Sequence, residues 1–319
     1  MTVYRIWIPS KQKYFKFKEI NVEQYRNVLK CIDDDFDFEY SINELLKSNC
    51  TEDKFSLSSL TIIDRFVAIL QLKIHSCGSQ LNLTRICDKC QTKTNFSINL
   101  NDLIDKLATK VDRSFEKEYN TAPFIINCDV PCIKEDDLNL DKNNIHNRVD
   151  LYMYSFIKRL TINDNHVNLD DFSYEDRIQV CNNIPFSIIN YIKNDYIDSI
   201  HSMFSDLLIK DAVCSSDDCK DVLSIKFDIT SLTDAIKLLF RDSSNTSILS
   251  QYASLGMNCH FDFEFYKNIC PAELNIIDNM VKNSLKTVEQ EQTTNNDINL
   301  FEEYPLNNEG TVEYPSEFK

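Results

Sequence analysis

Glycine is nearly absent. The 319-residue chain holds three, Gly78, Gly256 and Gly310, where average usage would be roughly 7%. A dinucleotide fingerprint or a phosphate-cradling loop needs several glycines close together, because the backbone must reach φ > 0 and approach the phosphate. Neither can be assembled here, nor can a G-x-S-x-G nucleophile elbow. Histidine is scarce too. His75, His146, His166, His201 and His260 are scattered, and none forms an H-x-x-x-H pair. No run of about 18 apolar residues occurs, so no membrane span is expected. The N-terminal residues lack the basic and long apolar regions of a signal peptide. Positive charge is outnumbered: 34 Lys and Arg against 50 Asp and Glu leave a formal net charge of −16. Phosphate backbones repel such a surface, so nucleic acid is not an expected partner. The densest basic stretch, Lys11, Lys13, Lys16 and Lys18, alternates with aromatics and reads as the solvated face of a β-hairpin.

What is present is enough to bury a core. Apolar residues make up 43% of the chain, and the length suits two domains or one elaborated one. Residues 2–20 alternate as two strands. Helices are expected at 22–33, capped by Asn21, and at 41–48. Residues 57–75 carry Leu60, Ile63, Val67, Leu70 and Ile74 at helical spacing, after serines able to cap. A strand is expected at 123–129 and a helix at 147–160. A polar hairpin follows near Asn163, and helices at 172–182, 185–210, 230–240, 245–256, 260–267 and 271–287. Residues 289–319 are rich in Glu, Asn and Gln without periodicity and read as a disordered tail. Two Glu-Tyr-Pro words stand in it, around Tyr304-Pro305 and Tyr314-Pro315. They are candidate partner-binding residues, since a proline loses little entropy on docking. An untethered solubilising tail is the competing reading.

Twelve cysteines without a signal peptide point to a reducing compartment, where thiols are buried hydrophobes or metal ligands more often than disulfides. Cys87 and Cys90 form a C-x2-C pair, and Cys214 and Cys219 a C-x4-C pair. Two such knuckles can present four thiolates to one structural Zn²⁺, closed to substrate. The separation of more than 120 residues is far from the spacing of a compact zinc ribbon. A shift of 129 residues nevertheless aligns Cys90 with Cys219, Phe96 with Ile225, Ile98 with Phe227, Leu103 with Leu232 and Leu107 with Ile236. The alternatives are two reduced thiol pairs in turns, or a redox C-x-x-C lacking a thioredoxin-like context. Cys128, Cys132, Cys259, His260 and Cys270 are expected to serve packing. Asp64 and Arg65 are expected to form a structural ion pair orienting their helix against the knuckle.

The expected fold class is α+β, mainly helical. It comprises an N-terminal hairpin and helices (1–54), a first Cys-knuckle unit (55–146), a second (147–288) and an acidic tail (289–319). No catalytic constellation is visible, and the chain is not expected to be an enzyme.

One stretch resembles a known family. Leu60-Thr61-Ile62-Ile63-Asp64-Arg65, the helix ending Ile74-His75-Ser76-Cys77-Gly78, the Cys87/Cys90 pair and Ile98-Asn99-Leu100 are similar to the baseplate hub assembly chaperones of T-even-type contractile-tail bacteriophages. Ile184-Pro185, the second knuckle, Leu239-Phe240, Ile248 to Tyr252 and Pro271-Ala272-Glu273 agree in order. The resemblance spans roughly residues 55–288. The C-x4-C knuckle, an insertion around 130–170 and the acidic tail depart from the pattern. The resemblance implies a role in building the baseplate hub, with other hub or tape-measure proteins as partners. It places the protein in the host cytoplasm during assembly, or in the virion baseplate. It supplies no catalytic residues. A structural subunit of the mature baseplate is the first alternative. A carboxylate-dependent hydrolase is the second, and two close buried carboxylates in a cleft would mark it.

Overall fold

The computed structural model describes residues 2–111, 114–132, 153–163, 165–207, 210–225, 232–259 and 262–296. The chain opens with an antiparallel hairpin of β1 (Val3–Ile8) and β2 (Lys13–Lys18). Strand alternation sends Ile6, Ile8, Phe15 and Phe17 into the core and leaves Arg5, Lys16 and Lys18 exposed. Next come α1 (Val22–Lys30), closed by an Asn21–Gln24 capping box, and α2 (Asp35–Asn49).

The central element is α3 (Ile62–Cys77), with twelve of its residues buried. A helix buried nearly all round is a core helix rather than an amphipathic surface one. Its N-cap is Thr61 in a capping box with Asp64, not the preceding serines, which instead form a short turn at Leu57–Ser59. The expected Asp64–Arg65 pair does not form. Fully buried Asp64 accepts from the Thr61 and Ser10 backbone N–H groups and from Ser10 Oγ at 2.5 Å. It thereby ties the hairpin turn to the helix start. Arg65 reaches Glu39 on α2 at 3.7 Å. Adjacent residues on a helix point about 100° apart, so each found its own partner.

Gly78, at φ 97°, ends α3. Then follow the β3 (Gln80–Ile86) and β4 (Lys93–Asn99) hairpin and α4 (Leu100–Val111). An antiparallel sheet is built in the order β5 (Lys117–Thr121), β6 (Phe124–Cys128), β7 (Ile157–Ile162), β8 (Asn165–Asn168). Here the helix expected through residue 160 is overturned: Ile157–Ile162 is a strand. A bulge pairs Cys128 with Ile157 but Asn127 with Arg159. It turns Ile157 and Leu160, three residues apart, onto one buried face. That spacing imitates a helix in the sequence.

The chain continues through α5 (Tyr174–Cys181) and α6 (Phe186–Ile192), a π turn at Lys193–Ile197, and α7 (Asp198–Leu207). The helix expected over 185–210 thus carries an inserted wide turn and stops early, since β9 (Lys210–Val213) follows. That strand pairs with β10 (Val222–Ile225). Four helices complete the described chain: α8 (Leu232–Leu239), α9 (Asn245–Cys259), α10 (Phe263–Asn268) and α11 (Pro271–Asn296). The helical backbone of α11 runs to Asn296, so 289–296 belong to it rather than to the tail. Tyr304, Pro305, Tyr314 and Pro315, like His260, lie outside the described residues.

One buried cluster, from Ile6 to Leu274, draws on the hairpin, both knuckle units and the C-terminal helices. A polar clasp crosses it. Lys73 of α3, 1% exposed, donates to Tyr25 Oη at 2.7 Å and to Asp242 Oδ1 at 2.9 Å, beyond α8. Tyr25 Oη donates to the same carboxylate at 3.0 Å. Among the described residues no helix is long and apolar enough to cross a membrane.

Candidate metal centre

The two cysteine pairs occupy the tips of two hairpins. Cys87 and Cys90 lie between β3 and β4, Cys214 and Cys219 between β9 and β10. Each tip is closed by one backbone hydrogen bond. The N–H of the first cysteine donates to the carbonyl two residues beyond the second: Cys87 to Thr92 at 3.0 Å and Cys214 to Asp221 at 2.8 Å. In each, the residue after the second cysteine has a positive φ, 58° at Gln91 and 42° at Lys220. A non-glycine residue enters this region at a cost, and such positions gather where the chain must aim groups at a site. Here the turn brings the next backbone N–H onto sulfur, from Thr92 to Cys90 and from Asp221 to Cys219. Ser216 does the same for Cys214.

The tips meet. Cys87 Sγ is 3.9 Å from Cys219 Sγ, and Cys90 Sγ is 3.4 Å from Cys214 Sγ. All four sulfurs lie within 4.8 Å of one another. These separations exceed the disulfide length of about 2.05 Å. They match the edges of a thiolate tetrahedron, about 3.8 Å for a Zn–S bond of about 2.3 Å. The set can hold a metal ion. Cys87 and Cys214 are buried with Leu223 beneath them.

Other side chains hold the tips together. Thr94 Oγ1, on a residue 2% exposed, accepts from the Ser215 backbone N–H at 3.1 Å. Ser215 Oγ donates to the Lys93 carbonyl at 3.0 Å, and Lys89 Nζ bridges to Asp221 at 2.8 Å. Seating the thiols so closely separates the titrations of Cys90, Cys214 and Cys219. Thr92, through its hydroxyl and its N–H, holds Cys90 down at about 6, helped by the neighbouring thiols. At Cys219 the Asp221 N–H lowers the value, but burial and the Cys90 and Cys87 sulfurs outweigh it and push the thiol up to about 11. Cys214 is raised in the same way against the Ser216 N–H. One sulfur, that of Cys90, is therefore ready as a thiolate, while Cys214 and Cys219 resist ionising without a cation.

Four other cysteines show a different environment. Burial pushes Cys128 and Cys181 up to about 12 and Cys77 to about 11, and raises Cys270. These are inert core thiols. A cleft of about 430 Å³ beside the hairpin turn is lined by Asp64 and Asp129, among others. Both Asp64 oxygens are taken up by donors of Ser10 and Thr61, and Asp129 Oδ1 accepts from the Val130 N–H at 2.7 Å. Sequence reasoning missed the buried Lys73–Tyr25–Asp242 clasp, whose members are 48 and 169 residues apart from Lys73. It also missed the docking of Thr94 on Ser215. No local signal marks either one.

No curated protein and no solved structure matches the chain. The family described as T4 bacteriophage base plate protein matches residues 1–225. The match begins at the hairpin and ends with β10, so it takes in both knuckles and all four cysteines. It starts earlier and stops earlier than the 55–288 expected from short motifs, leaving the C-terminal helices beyond it. Residues 1–225 make this chain a member of the T4 bacteriophage base plate protein family.

Proposed function

We propose that this baseplate protein is a non-enzymatic assembly factor or component of the baseplate hub, which holds other hub or tape-measure proteins on a scaffold locked by one structural Zn²⁺. Cys87, Cys90, Cys214 and Cys219 are the ligands, and a closed Cys₄ set leaves no position for substrate. The observation that carries this reading is the convergence of four sulfurs within 4.8 Å from two hairpins far apart in sequence. A metal there closes a loop of more than 120 residues and fixes the helices that flank each hairpin. The two hairpins are duplicated modules in this view, supported by the same closing hydrogen bond and the same positive-φ residue at each tip.

Tyr304, Pro305, Tyr314 and Pro315 are the partner-binding words of the C-terminal segment, acting in the host cytoplasm while the hub is built. Exposed apolar side chains on the C-terminal helices, Met257, Ile276 and Met280, suit partner surface as well. The acidic surface disfavours wrong partners. Affinity capture from infected cells followed by mass spectrometry tests the assignment. Hub or tape-measure proteins are expected in the eluate, and their absence overturns it. Purified particles separate the two roles, since an assembly factor is missing from them and a mature subunit is retained.

A further inference from the structure

We propose that the outward face of the N-terminal hairpin is the seat of the chain's own C-terminal word Glu313-Tyr314-Pro315, folded back within one molecule. The face is chemically unlike the rest of this acidic protein. Strand register sets Val3 opposite Lys18, Arg5 opposite Lys16, and Trp7 opposite Tyr14. Arg5, Lys16 and Lys18 are exposed, and among the described residues no carboxylate pairs with them. The nearby Glu52 is committed to Lys13 Nζ and the Lys16 backbone N–H. The Trp7 and Tyr14 rings lie 5.0 Å apart, with the Arg5 guanidinium 5.2 Å over Tyr14. Beyond them a small cleft of about 170 Å³ is lined by Trp7, Pro9, Gln12, Ala108 and Val111. The face is thus a ladder of cations ending in an aromatic pair and a small, mostly apolar notch.

An acidic residue followed by Tyr-Pro is the complement of that order. Proline-containing segments dock on aromatic-lined grooves, because their extended form costs little entropy. Residues 297–319 hold six carboxylates against Lys319 alone. Strand addition at the β1 edge is blocked, since Gln71 bonds both the Trp7 N–H and its carbonyl at 3.0 Å. The open face is what remains for docking.

Chain length favours the second word, whose reach covers the seat whichever way α11 points. Ile269, two residues before α11, lies against the start of α1, where the Val22 N–H donates to its carbonyl at 2.9 Å, just past the end of β2. The far end of α11, 26 residues on, is about 39 Å away. The hairpin adds at most about 20 Å, reached when α11 points directly away from it. Tyr304, eight residues past Asn296, reaches at most about 28 Å and does not span that greatest separation. Tyr314, eighteen residues past it, reaches roughly 60 Å and arrives. Approach from the Lys18 end puts Glu313 by Arg5 and Lys16 and the Tyr314-Pro315 pair by Trp7 and Tyr14.

Trp7 is the single tryptophan and reports on the seat directly, whatever the chain binds in the cell. In the full chain at low salt, Trp7 should be shielded from acrylamide. The double substitution Tyr314→Ala, Pro315→Ala should raise its quenching constant about twofold with the unfolding midpoint unchanged. Lys16→Glu should do the same, and adding Glu313→Lys should restore shielding. Equal quenching in the wild type and the tail variants overturns the proposal. Shielding that grows with protein concentration overturns it too, because the seat is then filled by another copy. Partner capture reads the assembly role, and quenching alone decides this contact.

Discussion

Cys87 Sγ lies 3.9 Å from Cys219 Sγ across 132 residues of chain. The purified protein should therefore carry about one Zn²⁺ per chain. Cys87→Ser or Cys214→Ser, each removing a buried ligand, should abolish retained metal and lower the melting temperature by roughly 10 °C, the scale of a few kcal/mol in a chain this size. Elemental analysis and calorimetry check both. Full metal content in either variant would contradict a shared four-thiolate site.

Thr94 acts on the site without touching metal. Its hydroxyl accepts from the Ser215 N–H and sets the second tip against the first. Thr94→Val keeps the shape and deletes the acceptor. Metal affinity in a competition with a chelator should fall about tenfold, the usual range for outer-shell partners, while stoichiometry stays at one. Unchanged affinity would mean that the tips are aligned by the backbone alone.

The Lys73–Asp242 pair predicts a non-additive mutant series. Lys73→Met leaves the Asp242 carboxylate and Tyr25 without their cation, and should cost about 3–5 kcal/mol in denaturant unfolding. Combining it with Asp242→Leu removes both charges, and much of the loss should return. A double variant as unstable as the sum of the single ones would show that the two residues do not act as a pair.

His201 gives the pH prediction. Burial lowers its pKa from 6.5, outweighing the nearby Asp198 and Asp234, which raise it, while Lys193 lowers it further. A histidine harder to protonate folded than unfolded contributes stability that is complete above about pH 6.5 and is lost as pH falls below it. His201→Gln should flatten the decline in unfolding free energy on that acid side. The acid slope should be the same in both proteins only if the ring titrates alike folded and unfolded.

How far the sequence could be read follows from where each signal resides. The β1–β2 hairpin, α1 and α3 were legible because strand alternation and helical spacing are properties of neighbours, and Asn21 marked its helix start correctly. The strand Ile157–Ile162 was misread as helix because its own bulge, at Lys158, shows only in its register against β6, some thirty residues earlier. Thr61 was overlooked as a cap in favour of serines that form their own turn. The four candidate ligands could be named from C-x2-C and C-x4-C, because each pair is a local pattern.

By itself the sequence determined the chemistry available: four paired thiols, too few glycines for a phosphate loop, an acidic surface and a basic aromatic hairpin. Only the tertiary structure decided that the two thiol pairs meet, that Thr94 holds them together, and that Lys73 is buried against Asp242. Local pattern reports which way a side chain leaves its own helix or strand. Which distant side chain it faces is set by packing the whole core, where register and bulges far along the chain fix each approach.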